Sequence, residues 1–339
     1  MSLAHAPPAD RTRRQPFLAA DVGGTHVRLG RVCASGDPAQ PITVLDYRTY
    51  VCTDYDGLEP VIADFLGTGG EAAVSGGVIA SAGYQLEDGR LISANLPWPI
   101  QLAQLRAMPG LGDLRLVNDF EAVAHAAPYF DTSEVLHLAG PAHAVSGPVL
   151  VLGPGTGFGS ALWIPSAAGP TVLATEAGQA ALAVGTDLEI ALLQELLRTR
   201  SHLPVEHLLS GPGLLNLYVA LCALHGEAPV CTTPREVSDA GITGREARAV
   251  ESLSVFCGLL GSTAGDLALT YGAQGGVYLA GGILPGIREF LVRSRFVERF
   301  LDKGLMREAL ERIPVKLVEH GRLGVLGAAS WYLGQSGPS

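Results

Sequence analysis

A short apolar segment that leads directly into a glycine pair constrains the fold of this chain more than any other feature. Phe17-Leu18-Ala19 is followed by Ala20-Asp21-Val22-Gly23-Gly24-Thr25. The apolar run predicts a buried strand, and the glycines predict a tight turn whose backbone N–H groups can approach a phosphate because no Cβ intervenes. Asp21, at the mouth of the turn, is placed to hold a Mg²⁺ ion or one of its water ligands. The segment therefore predicts a strand that delivers a phosphate-binding turn.

The same strand-then-glycine pattern recurs twice further along the chain. The later copies follow the apolar runs Val149–Leu152 and Val277–Leu279, and they read Gly153-Pro154-Gly155-Thr156-Gly157-Phe158-Gly159 and Ala280-Gly281-Gly282-Ile283. When Gly24-Thr25 is aligned with Gly155-Thr156, Leu152 occupies the place of Asp21. Only the first turn can therefore bring a carboxylate to a metal. The recurrence predicts a nucleotide held between two related halves of the chain.

The length and charge of the chain limit what it can bind. It has 339 residues, of which 47% are hydrophobic, and this length predicts two domains rather than one core. The formal net charge of −10 argues against nucleic acid as a partner, although a nucleotide can bind through Mg²⁺ and backbone N–H groups. The five cysteines form no Cys-x-x-Cys pair, which disfavours a zinc cluster or a disulfide framework and favours a reducing cytoplasm.

Neither an exported protein nor a membrane protein is predicted. Thr12-Arg13-Arg14-Gln15 resembles a twin-arginine export signal only superficially, because Asp21 interrupts the apolar segment behind it. Residues 1–16 are instead expected to form a flexible tail. Residues 267–287 carry no charged side chain, but their glycines favour a buried helix followed by a buried strand over a membrane-spanning helix.

Strands and helices alternate along both halves of the chain, which predicts an α/β protein with a mixed sheet in each half. Apolar residues at helical spacing predict helices that include residues 56–66, 100–108, 186–199, 213–225, 245–271, 290–300 and 324–332. A strand at 114–117 ends at Asn118-Asp119, just before a further predicted helix. The carboxyl ends of strands in α/β folds open into the ligand crevice, so this pair is a candidate site.

The polar residues near these strands have more than one interpretation when they are taken alone. Asp119 can accept a proton from a substrate hydroxyl group, but the Asn118-Asp119 pair can also simply turn the chain and cap a helix. Glu176 and Glu206 can bind the hydroxyl groups of a polyol, or they can be solvated loop residues. Asn95, ahead of Leu96-Pro97-Trp98, is equally ambiguous.

Together these segments resemble the bacterial glucokinase family, within the actin/hexokinase/Hsp70 superfamily. The resemblance runs from about Phe17 to the C-terminal helix, and its motifs occur in the family's order and spacing. The matching segments are Asp21–Thr25 with Arg28-Leu29, Asn118–Phe120, Gly153–Gly159, Leu209–Leu214 and Gly275–Ile283.

The resemblance implies an α/β, two-lobed ribonuclease H-like (actin-like ATPase) fold, with a five-stranded mixed sheet and flanking helices in each lobe. It implies a small α/β domain at 17–130 that is completed by a C-terminal helix at about 320–335, and a large α/β domain at 131–319. The lobes are expected to close over ATP, Mg²⁺ and a sugar. Homodimers are common among similar proteins, so we expect a homodimer here, and the cysteine usage described above predicts a cytoplasmic location.

The resemblance also implies a role for each candidate residue. Asp119 is expected to be the general base for the sugar 6-hydroxyl group. The side chains expected at the sugar are Asn95, Asn118, Glu176, Gln179 and Glu206. The residues expected at ATP are Ala20, Asp21, Val22, Gly23, Gly24, Thr25, Gly155, Thr156, Gly157, Gly281 and Gly282. Asp21 is also expected to hold Mg²⁺ through water.

Two departures from the family pattern affect the prediction of the substrate. The family usually has Glu-Gly-Gly-His where this chain has Glu176-Ala177-Gly178-Gln179, and His26 replaces a common Asn near the phosphates. The family His helps to hold the sugar, and loss of one well-placed hydrogen bond costs roughly 1–3 kcal/mol, or roughly 5- to 150-fold in affinity. The chain is therefore predicted to be an ATP-dependent glucokinase that phosphorylates glucose at O6. Two alternatives stay open: a kinase for a different hexose, and a catalytically weak sugar-binding regulatory protein.

Overall fold

A computed structural model describes residues 15–37, 40–68, 73–85, 90–92, 96–127, 135–143, 145–167, 169–318 and 322–335. The chain divides into two compact units. Unit 1 comprises Met1–Phe130 with His320–Ser339, and unit 2 comprises Asp131–Glu319. Residues 1–14 of the predicted N-terminal tail lie outside the described residues.

Unit 1 contains a mixed five-stranded sheet in the order β3-β2-β1-β4-β8. β1 pairs antiparallel with β2 and parallel with β4, so the first glycine turn joins two antiparallel neighbours. The short strands β5, β6 and β7 form a separate antiparallel sheet. The strands are β1 Phe17–Val22, β2 His26–Asp37, β3 Gln40–Val51, β4 Gly77–Ser81, β5 Tyr84–Gln85, β6 Arg90–Ile92, β7 Ile100–Gln101 and β8 Leu114–Val117.

The alternation of side chains along β1 divides the interior of unit 1 into two cores. Leu18 and Val22 pack in one core with the apolar face of helix α1 (Leu58–Thr68). Phe17 and Ala19 point the other way and pack with α3 (Asp119–His125) and the C-terminal helix (Leu323–Gln335). Since successive strand residues face opposite sides, one buried strand can serve both cores. The short helix α2 (Leu102–Arg106) completes the first core.

Unit 2 contains a mixed six-stranded sheet in the order β12-β11-β10-β13-β14-β9. Five strands were expected in this sheet. The sixth is β9, which pairs antiparallel with β14 at the edge of the sheet. The second glycine turn joins the antiparallel pair β10 and β11, and the third follows β13, which lies parallel to β10. The strands are β9 Val135–Ala139, β10 Val149–Pro154, β11 Phe158–Ile164, β12 Thr171–Thr175, β13 Gly276–Leu279 and β14 Val315–Val318.

Helices of unit 2 surround one large apolar core. They are α4 Asp187–Leu197, α5 Gly211–Leu224, α6 Pro234–Thr243, α7 Ala247–Tyr271, α8 Arg288–Arg293, α9 Phe296–Leu301 and α10 Arg307–Leu310. Among the described residues, only α7 is long and apolar enough to cross a membrane, and 67% of its most apolar window is buried inside the protein. The prediction of a buried helix followed by a buried strand at 267–287 is confirmed, because α7 ends at Tyr271 and β13 follows.

Two predicted helices differ from the structure. Residues 290–300 do not form one helix, because Ser294 adopts an extended conformation between α8 and α9. The Ser294 hydroxyl donates to the Leu291 carbonyl and accepts from the Phe296 N–H, and this local pairing competes with helix continuation. The predicted helix at 100–108 begins later, because Ile100–Gln101 pairs with β6 as the strand β7.

Candidate active site

The first glycine turn is a tight connection between β1 and β2. The Gly23 N–H donates to the His26 carbonyl over 3.0 Å, which closes the turn. The Cys52 N–H donates to the Thr25 carbonyl over 2.9 Å, and the Cys52 thiol donates to the Gly23 carbonyl over 3.3 Å. The turn is therefore fixed from within and by the segment that follows β3.

Two of the predicted nucleotide-binding residues in this segment have buried side chains. Ala20 is fully buried and Val22 is 2% exposed, and both belong to a core of unit 1. Any contact of these residues with a nucleotide must therefore come from the backbone. Gly23 and Gly24 are partly exposed, and Thr25 is exposed.

Asp21, the predicted Mg²⁺ residue, lies beside a cation of its own unit. Arg28 is its partner in the β1–β2 register, and Arg28 Nη1 donates to Asp21 Oδ2 over 3.0 Å. The start of the C-terminal helix also approaches closely, since a Cβ at Gly324 would lie 2.7 Å from Asp21 Oδ2. Burial raises the pKa of the Asp21 carboxyl group, and Arg28 opposes that shift. The carboxylate is thus held in one orientation.

The described residues contain no group of three or more His, Cys, Asp or Glu side chains that could hold a metal. At Asp21, a Mg²⁺ ion bound with a nucleotide would take most of its ligands from phosphate oxygens and water, with this single carboxylate in support. That donor set is typical of Mg²⁺ bound together with a nucleotide. Asp21 fits this supporting role, with its Oδ2 already paired to Arg28.

Asn118 and Asp119 occupy the junction between β8 and α3. Asn118 is the N-cap residue, and its Oδ1 accepts from the N–H groups of Phe120 and Glu121, each at a distance of 3.0 Å. The capping interpretation of Asn118 is thus confirmed. Because its oxygen serves two N–H groups, the polar group that Asn118 can offer a sugar is its amide NH₂. Asp119 is partly buried, and its Oδ1 accepts from the Phe120 N–H over 2.9 Å.

The second and third glycine turns pack against each other, backbone on backbone. The Ala280 N–H donates to the Leu152 carbonyl over 2.8 Å. A Cβ at Gly153 would overlap the Ala280 carbonyl, and Gly281, with φ of +132°, lies against the Pro154 carbonyl. Glycine is required at both positions for this close approach. Gly282 is exposed, and a Cβ there would meet nothing within 4 Å.

The second turn is also attached to the start of α5. The Gly155 N–H donates to the Gly157 carbonyl, and the Gly211 N–H donates to the Gly155 carbonyl. The donor–acceptor distance is 2.8 Å in both bonds. Ser210 caps α5, since its hydroxyl accepts from the Gly213 N–H over 3.0 Å. Thr156 at the tip is exposed. The sequence predicted a helix at 213–225 and a family match at Leu209–Leu214, but it indicated no role for Gly211 in supporting the loop.

Unit 2 brings Glu206 and Gln179 together beside the second glycine turn. Glu206 lies in a short 3₁₀ helix, Val205–His207, and its Oε2 accepts from the Phe158 N–H over 2.8 Å. The Gln179 amide donates to Glu206 Oε1 over 3.4 Å, a long and weak bond. Glu176 is exposed and immediately precedes the 3₁₀ helix Ala177–Gln179. Asn95, the remaining predicted sugar residue, lies outside the described residues.

Comparison with known proteins supports the resemblance over almost the whole chain. A glucokinase family model matches residues 18–335. A glucokinase-like protein of Xylella fastidiosa is 54% identical over 96% of this chain and 97% of its own length. A glucokinase of Paramagnetospirillum magneticum is 38% identical over 93% of this chain and 97% of its own.

Structural comparison agrees. The crystal structure of glucokinase from an Antarctic psychrotroph has a TM-score of 0.81 and 34% identity, and the alignment covers 94% of this chain and 99% of that one. The α/β class and the actin-like ATPase fold with two mixed sheets are confirmed. The chain belongs to the glucokinase family of sugar kinases, which are phosphotransferases with an alcohol group as acceptor.

Proposed function

We propose that this chain transfers the terminal phosphoryl group of ATP to O6 of a hexose, with glucose as the first candidate. The proposal rests on family membership together with one local observation. Asp119 stands at the end of a parallel strand and in the first turn of the helix that follows. A carboxylate held at this kind of position is suited to take a proton from a substrate hydroxyl group.

The proposal assigns a set of sugar-binding groups to each unit separately. In unit 1, Asp119 acts as the general base for the 6-hydroxyl group and the Asn118 amide donates to a neighbouring hydroxyl group. In unit 2, Glu176 and Glu206 accept hydrogen bonds from sugar hydroxyl groups. Asn95 stays a predicted sugar residue.

The glycine turns bind the phosphates mainly through backbone N–H groups. Gly24-Thr25 and Thr156-Gly157 supply these groups, since the N–H groups of Gly23 and Gly155 already donate within their own turns and shape them. Gly281-Gly282 contacts the adenosine. Mg²⁺, when bound, neutralises charge on the phosphate oxygens and favours departure of the terminal phosphoryl group. Asp21 would hold such an ion through a water ligand, while Arg28 pairs with the carboxylate.

A kinase for a different hexose is the second candidate, and one contact favours it. The distance from the Gln179 amide nitrogen to Glu206 Oε1 is 3.4 Å, so Gln179 holds the Glu206 carboxylate, which is proposed to bind the sugar, only weakly. A pocket with a weak contact at this position is expected to discriminate less firmly between hexoses that differ near C1 and C2.

A hexose panel tests both candidates. Sugar phosphate formation is measured with ATP and Mg²⁺ in a coupled assay, and binding of each sugar is measured by calorimetry. Turnover highest on glucose supports the first candidate, and turnover highest on another hexose supports the second. Binding without product would overturn both and identify a sugar-binding regulatory protein. We also propose a cytoplasmic location and a homodimer, and sedimentation velocity tests the dimer.

A further inference from the structure

Glu206 has a second set of contacts that sugar binding does not require. Its Oε2 accepts from the Phe158 N–H over 2.8 Å, and Phe158 is the first residue of β11 directly after the glycine turn. The Phe158 side chain is 5% exposed and belongs to the core of unit 2. The Glu206 carboxylate therefore accepts a hydrogen bond from the residue whose buried side chain anchors the end of the loop in the core.

The space around Gly157 depends on the same carboxylate. A Cβ at Gly157 would collide with Glu206 Oε2 and lie 3.2 Å from its Cδ. Glycine at this position thus lets the carboxylate lie directly against the loop. The close contact comes from the side chain of Glu206, which is 49 positions further along the chain.

The segment 205–211, which includes Glu206, contacts the loop at two separate points. Glu206 binds the Phe158 N–H, and the Gly211 N–H binds the Gly155 carbonyl over 2.8 Å. This segment is itself fixed, because the Val205 N–H donates to the Ala180 carbonyl over 2.9 Å and Val205 is buried. The loop is therefore attached to a segment that is itself hydrogen-bonded and partly buried.

We propose that Glu206 is a positioning residue for the nucleotide-binding loop at Gly153–Gly159, in addition to its proposed contact with the sugar. By accepting from Phe158 and filling the space over Gly157, the carboxylate keeps the loop in the conformation that presents its N–H groups to the phosphates. This inference rests on the proposed function, because it assigns the loop to ATP. Preorganised N–H groups bind an anion more tightly than groups that must first be ordered.

The test is nucleotide binding in the absence of sugar. The Kd of a non-hydrolysable ATP analogue with Mg²⁺ is measured by calorimetry for the full chain without any hexose. Glu206→Ala is expected to weaken binding about tenfold, the equivalent of one hydrogen bond to a charged group. Glu206→Gln keeps an oxygen that can accept from the Phe158 N–H, so its Kd for the analogue should stay within about threefold of wild type while sugar binding weakens.

Glu176→Ala is the matched control. Both glutamates belong to unit 2 and both are proposed to hold the sugar, but the described hydrogen bonds join only Glu206 to the loop backbone. Glu176→Ala should therefore weaken glucose binding and leave the sugar-free Kd of the analogue within about twofold of wild type. A residue that only contacts sugar would behave in this way, so the two alanine variants separate the two roles.

Gly157→Ala supplies an independent variant, because its new methyl group must displace the Glu206 carboxylate. It should also weaken sugar-free binding, and the double variant Gly157→Ala/Glu206→Ala should be no weaker than Gly157→Ala alone, since the collision is gone. Wild-type affinity in folded Glu206→Ala, or additive losses in the double variant, would overturn the inference. Absence of turnover and of nucleotide binding in the wild-type chain would instead overturn the proposed function.

Discussion

Glu189→Ala should destabilise unit 2 more than any surface substitution, because Glu189 is half of a buried ion pair. Arg299 Nη2 donates to Glu189 Oε2 over 2.9 Å, and the two side chains are 6% and 5% exposed. The same oxygen accepts from the N–H groups of Gly185 and Thr186 over 2.7 and 3.2 Å, as part of the capping box of α4. The substitution removes the acceptor for all three donors.

The expected loss follows from what remains around Arg299. The nearest other carboxylate that pairs with it, Asp302, lies 3.6 Å away and is 67% exposed, so the guanidinium group stays largely uncompensated. Removal of one partner from a buried pair costs about 3–5 kcal/mol. For a unit of 189 residues (131 to 319), each kcal/mol corresponds to about 2–4 °C, so we expect Tm to fall by about 6–20 °C.

Thermal unfolding followed by circular dichroism measures this shift, with urea unfolding as a second readout. Glu298→Ala is the control, because Arg295 and Glu298 form a pair of 2.7 Å in which both side chains are more than half exposed. It should change stability by no more than about 1 kcal/mol. The double substitution Glu189→Leu/Arg299→Met should recover the part of the loss that comes from the uncompensated Arg299 charge, since it leaves no buried charge. A Tm for Glu189→Ala within about 2 °C of wild type would refute the reasoning.

Three further predictions concern the pocket, the second glycine turn and pH. Gln179→His should tighten glucose binding by roughly 5- to 150-fold if the side chain gains a full hydrogen bond at the sugar, and unchanged calorimetry would show that this position is idle. Gly153→Ala should destabilise unit 2 by about 1–3 kcal/mol in urea unfolding, because the methyl group overlaps a backbone carbonyl, whereas Gly286→Ala enters open space and should not. Burial lowers the pKa of His125 to about 4, so the unfolded chain binds more protons between about pH 6.5 and 4 and stability should decline as pH falls through that window. His125→Gln should flatten this decline, and an unchanged pH profile of unfolding would contradict it.

The local elements of the fold could be predicted from the sequence because their signals are local. The apolar runs at 149–152 and 277–279 lie in β10 and β13, and each precedes its glycine turn as predicted. Helix α6 was missed although Thr233 and Glu236 form a capping box at its start. It has few large apolar residues, but its buried residues Val237, Ala240 and Gly241 follow helical spacing, and Thr-Pro-Arg-Glu was available as a start signal.

The contacts that define the candidate site could not be predicted because they join residues far apart in sequence. Glu206 and Phe158 are 48 positions apart, and nothing in either segment indicates that a carboxylate accepts from a strand N–H. The requirement for glycine at Gly153 likewise depends on the Ala280 backbone, which only the parallel pairing of β10 with β13 brings close. By contrast, the Asn118 cap joins residues only three positions apart, so the sequence alone already offered helix capping as one interpretation of this residue.

The most direct test of the proposed kinase is the Asp119→Asn variant. Glucose 6-phosphate formation is followed at saturating ATP, Mg²⁺ and glucose, and glucose binding is measured on the same preparation by calorimetry. The proposed general base predicts that kcat falls by roughly 10²- to 10⁴-fold while the Kd for glucose changes by less than about threefold. A variant that turns over at nearly the wild-type kcat would contradict the assignment of Asp119.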